Sequence, residues 1–182
     1  MPVISKSKSR PLTLRQKEGR AVNAVAELLR KRLSVPNIYL EPRSPAVDVL
    51  AVDRAGSGDL HGVEIRLGHD LGRGAVRASV FNGRIEEMCR QLMSLPAHYK
   101  YLAVPRGAWD YLVFEGLKPV VYSPDGIGRV GIIAITDQGE ELPSAEIVIV
   151  PERFRVDATK LSRIEKNLIN NKKVRPDIEV RI

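Results

Sequence analysis

Two acids and a cation stand close together in the segment PAVDVLAVDRAGSGDLHGVEIRL, which begins at Pro45. Asp48 lies in one apolar run, Glu64 lies in the next, and Arg66 follows Glu64 by two residues. A carboxylate inside a strand-like run is expensive to bury unless something pairs with it. Hard divalent cations such as Mg²⁺ are held by one or two carboxylates, with water and substrate oxygens completing the shell. Side chains alternate along a strand with period 2, so Glu64 and Arg66 should share a face. Two acids at matching places on adjacent antiparallel strands, with a cation beside them, would coordinate a metal, activate water and stabilise a pentavalent phosphate. The same residues also describe an Asp at a strand edge beside a surface Glu–Arg pair, and spacing alone leaves both readings open.

Periodicity predicts the elements that must position these residues. Thr13 suits the N-cap of a helix running to about Leu33, with Ala21, Val22, Val25, Leu28, Leu29 and Leu33 at helical spacing and Pro36 just beyond. Its opposite face carries Arg15, Lys17, Arg20, Arg30, Lys31 and Arg32. Strands are expected over 37–41, 46–53 and 60–67, the last two antiparallel across the loop-forming DRAGSGD. A second helix should run from Arg84 to Leu95, where Pro96 stops it. YKYLAVP is continuous rather than alternating, the pattern of a central strand covered on both faces and parallel to a neighbour.

Beyond it, a short helix over 107–116 contains Trp109, strands are expected over 120–122, 130–136 and AEIVIVP, and a basic helix over 158–170 precedes a polar tail. The order α-β-β-β-α-β implies an α/β fold with a mixed sheet flanked by helices, a single domain with a C-terminal extension. Residues 1–12 read as a flexible basic arm, 13–156 as the α/β domain, and 157–182 as a basic helix and tail.

Lys and Arg number 29 against 22 Asp and Glu, a net charge of +7 that favours polyanionic partners such as nucleic acid or an anionic membrane surface. Arg15, Lys17 and Arg20 on the first helix, and Arg73 and Arg77 in the Gly-rich loop over 68–79, are the candidate nucleic-acid contacts. Cys89 is the only cysteine, so no intramolecular disulfide and no Cys-based zinc site can form. With no apolar leader and no run of membrane-spanning length, the expectation is a soluble, cytoplasmic chain.

Other motifs fail on context. GIGRVG, from Gly126, matches G-x-G-x-x-G, but a turn precedes it and a β-branched run follows, so it reads as a turn entering a strand. GHDLGRGAVRAS lacks the Gly-Lys-Ser/Thr ending of a phosphate-binding P-loop. His61, His69 and His98 are too scattered to suggest zinc, and Cys89 sits at a helical core position.

With these residues in place, the chain resembles the PD-(D/E)XK nuclease superfamily, the restriction-endonuclease-like fold, over about residues 13 to 105. That family's core runs helix, three-strand meander, helix, strand, with an Asp on the second strand and Glu/Asp-x-Lys on the third. SPAVDVLAVD supplies Asp48, and GVEIRL supplies Glu64, Ile65 and Arg66. The resemblance implies a Mg²⁺-dependent nuclease that accepts Mn²⁺ as a substitute, with Asp48 and Glu64 as metal ligands and Asp48, Glu64 and Arg66 as catalytic residues. It implies DNA, and secondarily RNA, as partner, and homodimers are frequent in proteins of this type.

Two departures from the family pattern stand out. Arg66 replaces the usual Lys, keeping the charge but unable to give up a proton. Placing Gly19 on the glycine of the first-helix G-x-x-x-E pattern puts Asn23 where a Glu would sit, with Glu18 and Glu27 nearby. The alternative is therefore a catalytically impaired nuclease-fold protein that binds nucleic acid or a protein partner. A third reading is an assembly module in which the positive charge only solubilises.

Overall fold

The computed structural model describes residues 14–32, 34–35, 37–40, 47–53, 57–68, 77–122, 128–137 and 142–170. The expected N-terminal arm, the Thr13 cap, Arg73 and the tail beyond 170 lie outside the described residues, as does the side chain of Arg15.

α1 (Leu14–Arg32) buries Ala21, Val25, Leu28 and Leu29, the stripe that its spacing predicts. Its exposed side holds Glu27, which pairs with Arg30 and Lys31. Beyond the helix Ser34 takes the left-handed conformation (φ 55°), and the Val35 amide turns back to the Leu29 carbonyl at 3.2 Å.

β1 (Asn37–Leu40), β2 (Val49–Val52) and β3 (Leu60–Ile65) form an antiparallel meander. α2 (Ala78–Gln91) then crosses over to β4 (Tyr99–Pro105), which pairs parallel to β3. α3 (Arg106–Phe114) leads to β5 (Gly131–Thr136), parallel to β4, and β6 (Ser144–Ile149) closes the sheet antiparallel to β5. The six strands thus lie in chain order, β1-β2-β3-β4-β5-β6, in a mixed sheet. α4 (Ala158–Asn170) completes the described chain. Among the described residues no helix is long and apolar enough to cross a membrane.

Two cores cover the two faces of the sheet. On one, Val49, Ala51, Val63, Ile65, Ala103 and Ile133 pack against α1. On the other, Leu50, Leu60, Leu102 and Ile132 meet Phe81, Ile85 and Cys89 of α2, Trp109 and Leu112 of α3, and Ile164 and Leu168 of α4. The alternation of buried faces along β2 and β3 follows from strand geometry. β4 carries buried residues on both faces, as its unbroken apolar run predicts. Burial pushes the Cys89 thiol up to about 12, so it is packing rather than chemistry.

Two expectations need correction. α2 begins at Ala78 rather than Arg84, because Ala78, Phe81, Ile85 and Cys89 form one buried stripe and Gly83 sits harmlessly on the exposed side. The 120–122 segment is not a strand but a single bridge between Tyr122 and Arg129; Pro119, just before it, has no amide hydrogen to donate.

A polar cluster fastens the chain after β6 to the amino ends of β3 and β4. Arg153 grips the buried Asp59 carboxylate with two nitrogens, at 2.8 and 3.2 Å. His98 Nδ1 accepts the Leu60 amide hydrogen at 3.0 Å, and the His98 carbonyl accepts from the Phe154 amide at 2.7 Å. Lys100 donates to the Met93 carbonyl at 2.7 Å and lies 4.1 Å over the Phe154 ring, with burial lowering its pKa to about 8. At Gly131 a Cβ would come within 2.9 Å of the Ile149 carbonyl oxygen and of Pro151 Cδ, which requires the bare backbone there.

Two stability predictions follow from this packing. Burial depresses the pKa of His61 to about 4 from the ordinary 6.5, and lowers that of His98 in the same way. Below pH 6.5 the unfolded chain takes up the proton first. Stability present above that pH is therefore lost as pH falls to about 4, by about 3 kcal/mol from His61. Urea midpoints measured between about pH 7 and about pH 5 should drop, and should drop less in His61→Phe; an unchanged slope in that variant contradicts the assignment. Gly131→Ala should cost on the order of 2 kcal/mol by the same measurement, since the clash is with backbone.

Candidate active site

Register brings the two acids near one another. Val49 lies opposite Val63 and Leu50 opposite Gly62, so Asp48, just before β2, lies beside the end of β3 that carries Glu64. Val47 rather than Asp48 lines the cavity beside Glu64, so the alternation of β2 does not extend to Asp48.

Asp48 nevertheless has a structural engagement of its own. Its Oδ2 accepts the Ile65 amide hydrogen at 2.6 Å. The next amide, that of Arg66, donates to the Ala103 carbonyl of β4 at 2.9 Å, so the Ile65 amide faces the β2 side. β2 begins only at Val49, and here the Asp48 carboxylate rather than a β2 carbonyl takes the Ile65 amide. Backbone geometry thereby holds Asp48 beside the strand that carries Glu64.

Glu64 follows Leu60 and Gly62 on the face covered by α2. Arg66 Nη2 forms an ion pair with Glu64 Oε1. The Arg66 side chain is 36% exposed and that of Glu64 19%, so solvent reaches both. They line one side of a cavity of about 340 Å³, whose other wall is Met88 and Gln91 of α2 with Leu95 beyond it. A Cβ at residue 62 would run into the Leu95 side chain, so Gly62 lets that wall lie directly on β3. The 3₁₀ turn Leu92–Ser94 ends the helix here, and Ser94 Oγ donates to the Gln91 carbonyl at 3.0 Å.

The carboxyl end of β3 also borders a second cavity, of about 590 Å³, on the α1 side of the sheet. Lys17 lines it together with Leu67, Gly68 and the start of α3. Lys17 is therefore brought to the same end of the sheet as Glu64 and Arg66. Arg20 is held by Asp137 at 3.0 Å, which ties α1 to the end of β5. Arg77 is exposed immediately before α2. Asn23 and Glu18 belong to α1, which packs on the opposite face of the sheet from Glu64, and Glu27 is engaged by its own helix.

The donor set suits Mg²⁺ better than zinc. Among the described residues these two carboxylates have no imidazole or thiolate beside them, a set that would suit a cation that keeps several waters. Among the described residues no group of three His, Cys, Asp or Glu side chains is placed to hold a metal. His61 stacks on Tyr99 with ring centroids 4.7 Å apart, and His98 serves the Asp59 cluster, so neither serves this site. The α2 wall of the cavity beside Glu64 and Arg66 was not anticipated from the sequence. The signal was present in Met88, Gln91, Leu92 and Leu95, whose spacing places them on one side of the helix end.

No family model matches the chain, and no curated protein matches it. Among solved structures, the SPO1766 protein of unknown function from Silicibacter pomeroyi aligns with a TM-score of 0.50 at 14% identity, over 85% of this chain and 84% of that one. That likeness concerns the fold alone.

The Asp48–Ile65 hydrogen bond predicts a split between two substitutions. Asp48→Ala removes the acceptor and should cost about 1–3 kcal/mol, whereas Asp48→Asn keeps an oxygen at the same place and should cost less than about 1 kcal/mol. Equal losses in urea denaturation would show that the carboxylate does not carry the ladder.

Proposed function

We propose that this chain hydrolyses phosphodiester bonds in nucleic acid, DNA before RNA, with a divalent metal held at the carboxyl end of β3. The observation that supports this most is the hydrogen bond that holds the Asp48 carboxylate on β3 next to Glu64, with Arg66 just beyond the strand and paired to Glu64. The setting agrees with the restriction-endonuclease-like fold: a helix, an antiparallel three-strand meander, a helix, and a strand parallel to the third.

Asp48 and Glu64 would hold the ion. Bound Mg²⁺, or Mn²⁺ in its place, supplies a Lewis acid and lowers the pKa of a coordinated water. Arg66 would exchange Glu64 for an oxygen of the scissile phosphate, acting as a fixed charge because guanidinium does not release its proton at neutral pH. Lys17 at the adjoining cavity and Arg77 before α2 would carry neighbouring phosphates, a term that salt weakens.

One observation favours a second reading, a nuclease-fold protein that binds nucleic acid without cutting it. Glu64 already has a cationic partner in Arg66, so its charge is balanced without a metal. Labelled oligonucleotides incubated with Mg²⁺ or Mn²⁺ separate the two. Cleavage should appear, vanish on chelation, and fall by roughly a hundredfold or more in Glu64→Gln and Asp48→Asn. Salt-sensitive binding without cleavage under either metal would select the second reading.

A further inference from the structure

The cavity beside Glu64 and Arg66 has a shape and lining that this proposed chemistry leaves unused. Its volume is about 340 Å³. Hydrolysis at a phosphate needs only the acids, the cation and water. Across from them stand the apolar side chains of Met88 and Leu95 and the terminal amide of Gln91.

We infer that this cavity receives one unpaired nucleobase of the substrate, so that the site selects single-stranded nucleic acid over duplex. The inference rests on the reading of the carboxyl end of β3 as a nucleic-acid site. The lining matches a base in three respects. The apolar surfaces of Met88 and Leu95 suit its flat face, which gains by leaving water for packed side chains. The Gln91 amide offers both a donor and an acceptor, the pairing that a base edge requires once its partner strand is absent. Arg66 places a cation at the same cavity, where the phosphate attached to the inserted nucleotide must lie.

Size excludes the alternative. A cavity of about 340 Å³ takes a base and part of its sugar, but not a base pair still stacked in a helix. A duplex would have to unstack and unpair one nucleotide before engaging, at a cost of a few kcal/mol. Leu95 lies directly against the Gly62 backbone on one side of this cavity.

Binding measured without metal tests this separately from cleavage. Fluorescence anisotropy in chelator would compare a labelled single strand, its blunt duplex, and a strand of the same length lacking bases. The single strand should bind at least about tenfold more tightly than the duplex or the baseless strand. Gln91→Ala should weaken binding of the single strand by about fivefold or more and leave the duplex unchanged. Ser94→Leu, which fills the cavity mouth from an exposed position, should do the same, with thermal melting confirming that both variants fold. Duplex bound as tightly as the single strand, or single-strand affinity unaltered in both variants, overturns the inference. Metal-dependent cleavage indifferent to strandedness and to Gln91 would overturn it while leaving the nuclease reading intact. Gln91-dependent single-strand binding with no cleavage would overturn only the nuclease reading.

Discussion

β3 is hydrogen-bonded on both sides, antiparallel to β2 and parallel to β4, and packed on both faces. A strand so enclosed can carry a charged side chain only where its enclosure ends. That happens at its carboxyl end, past the pairing with β2, where the Asp48 carboxylate accepts the Ile65 amide. This one hydrogen bond satisfies a donor that would otherwise be lost at the end of the ladder. It also brings the first acid to the strand of the second. The position of the site and the completion of the sheet therefore have the same cause.

Under the proposed function the Glu64–Arg66 pair would be no barrier to metal binding. Partly exposed ion pairs contribute about 0–1 kcal/mol, because solvent compensates both charges when they part. A divalent cation held by carboxylates would offset that, and a phosphate would give the released guanidinium a second acceptor. If the resemblance to the PD-(D/E)XK nucleases holds, Arg66 in place of their Lys would keep the fixed positive charge, and activation of water would rest on the metal that Asp48 and Glu64 would hold.

The meander, its antiparallel pairing and the central β4 were legible in the sequence, because strand alternation and unbroken apolar runs report burial directly. α1 was legible for the same reason through its Ala21, Val25, Leu28 and Leu29 stripe. The start of α2 was hidden by Gly83, whose cost to a helix is small on a solvated face, while Phe81 and Ala78 were already packing. Of the site, the residue types were visible, and so was the bland possibility of a Glu–Arg pair, which is present. What spacing could not reveal is that Asp48 completes the ladder, since that depends on where β2 begins. Nor could it place Asp59, His98 and Arg153 together, for they are distant in the chain and meet only through the sheet and the segment after β6.

The central claim is that Asp48 and Glu64 form a divalent-cation site. Titration calorimetry of Mg²⁺ and Mn²⁺ into the wild-type chain and into the folded variants Asp48→Asn and Glu64→Gln addresses it most directly. One ion per chain should bind to the wild type, and its affinity should fall at least about tenfold in each variant, the loss of one charged ligand from a site with two. Heats of binding that are absent in the wild type, or unchanged in both variants, would contradict it.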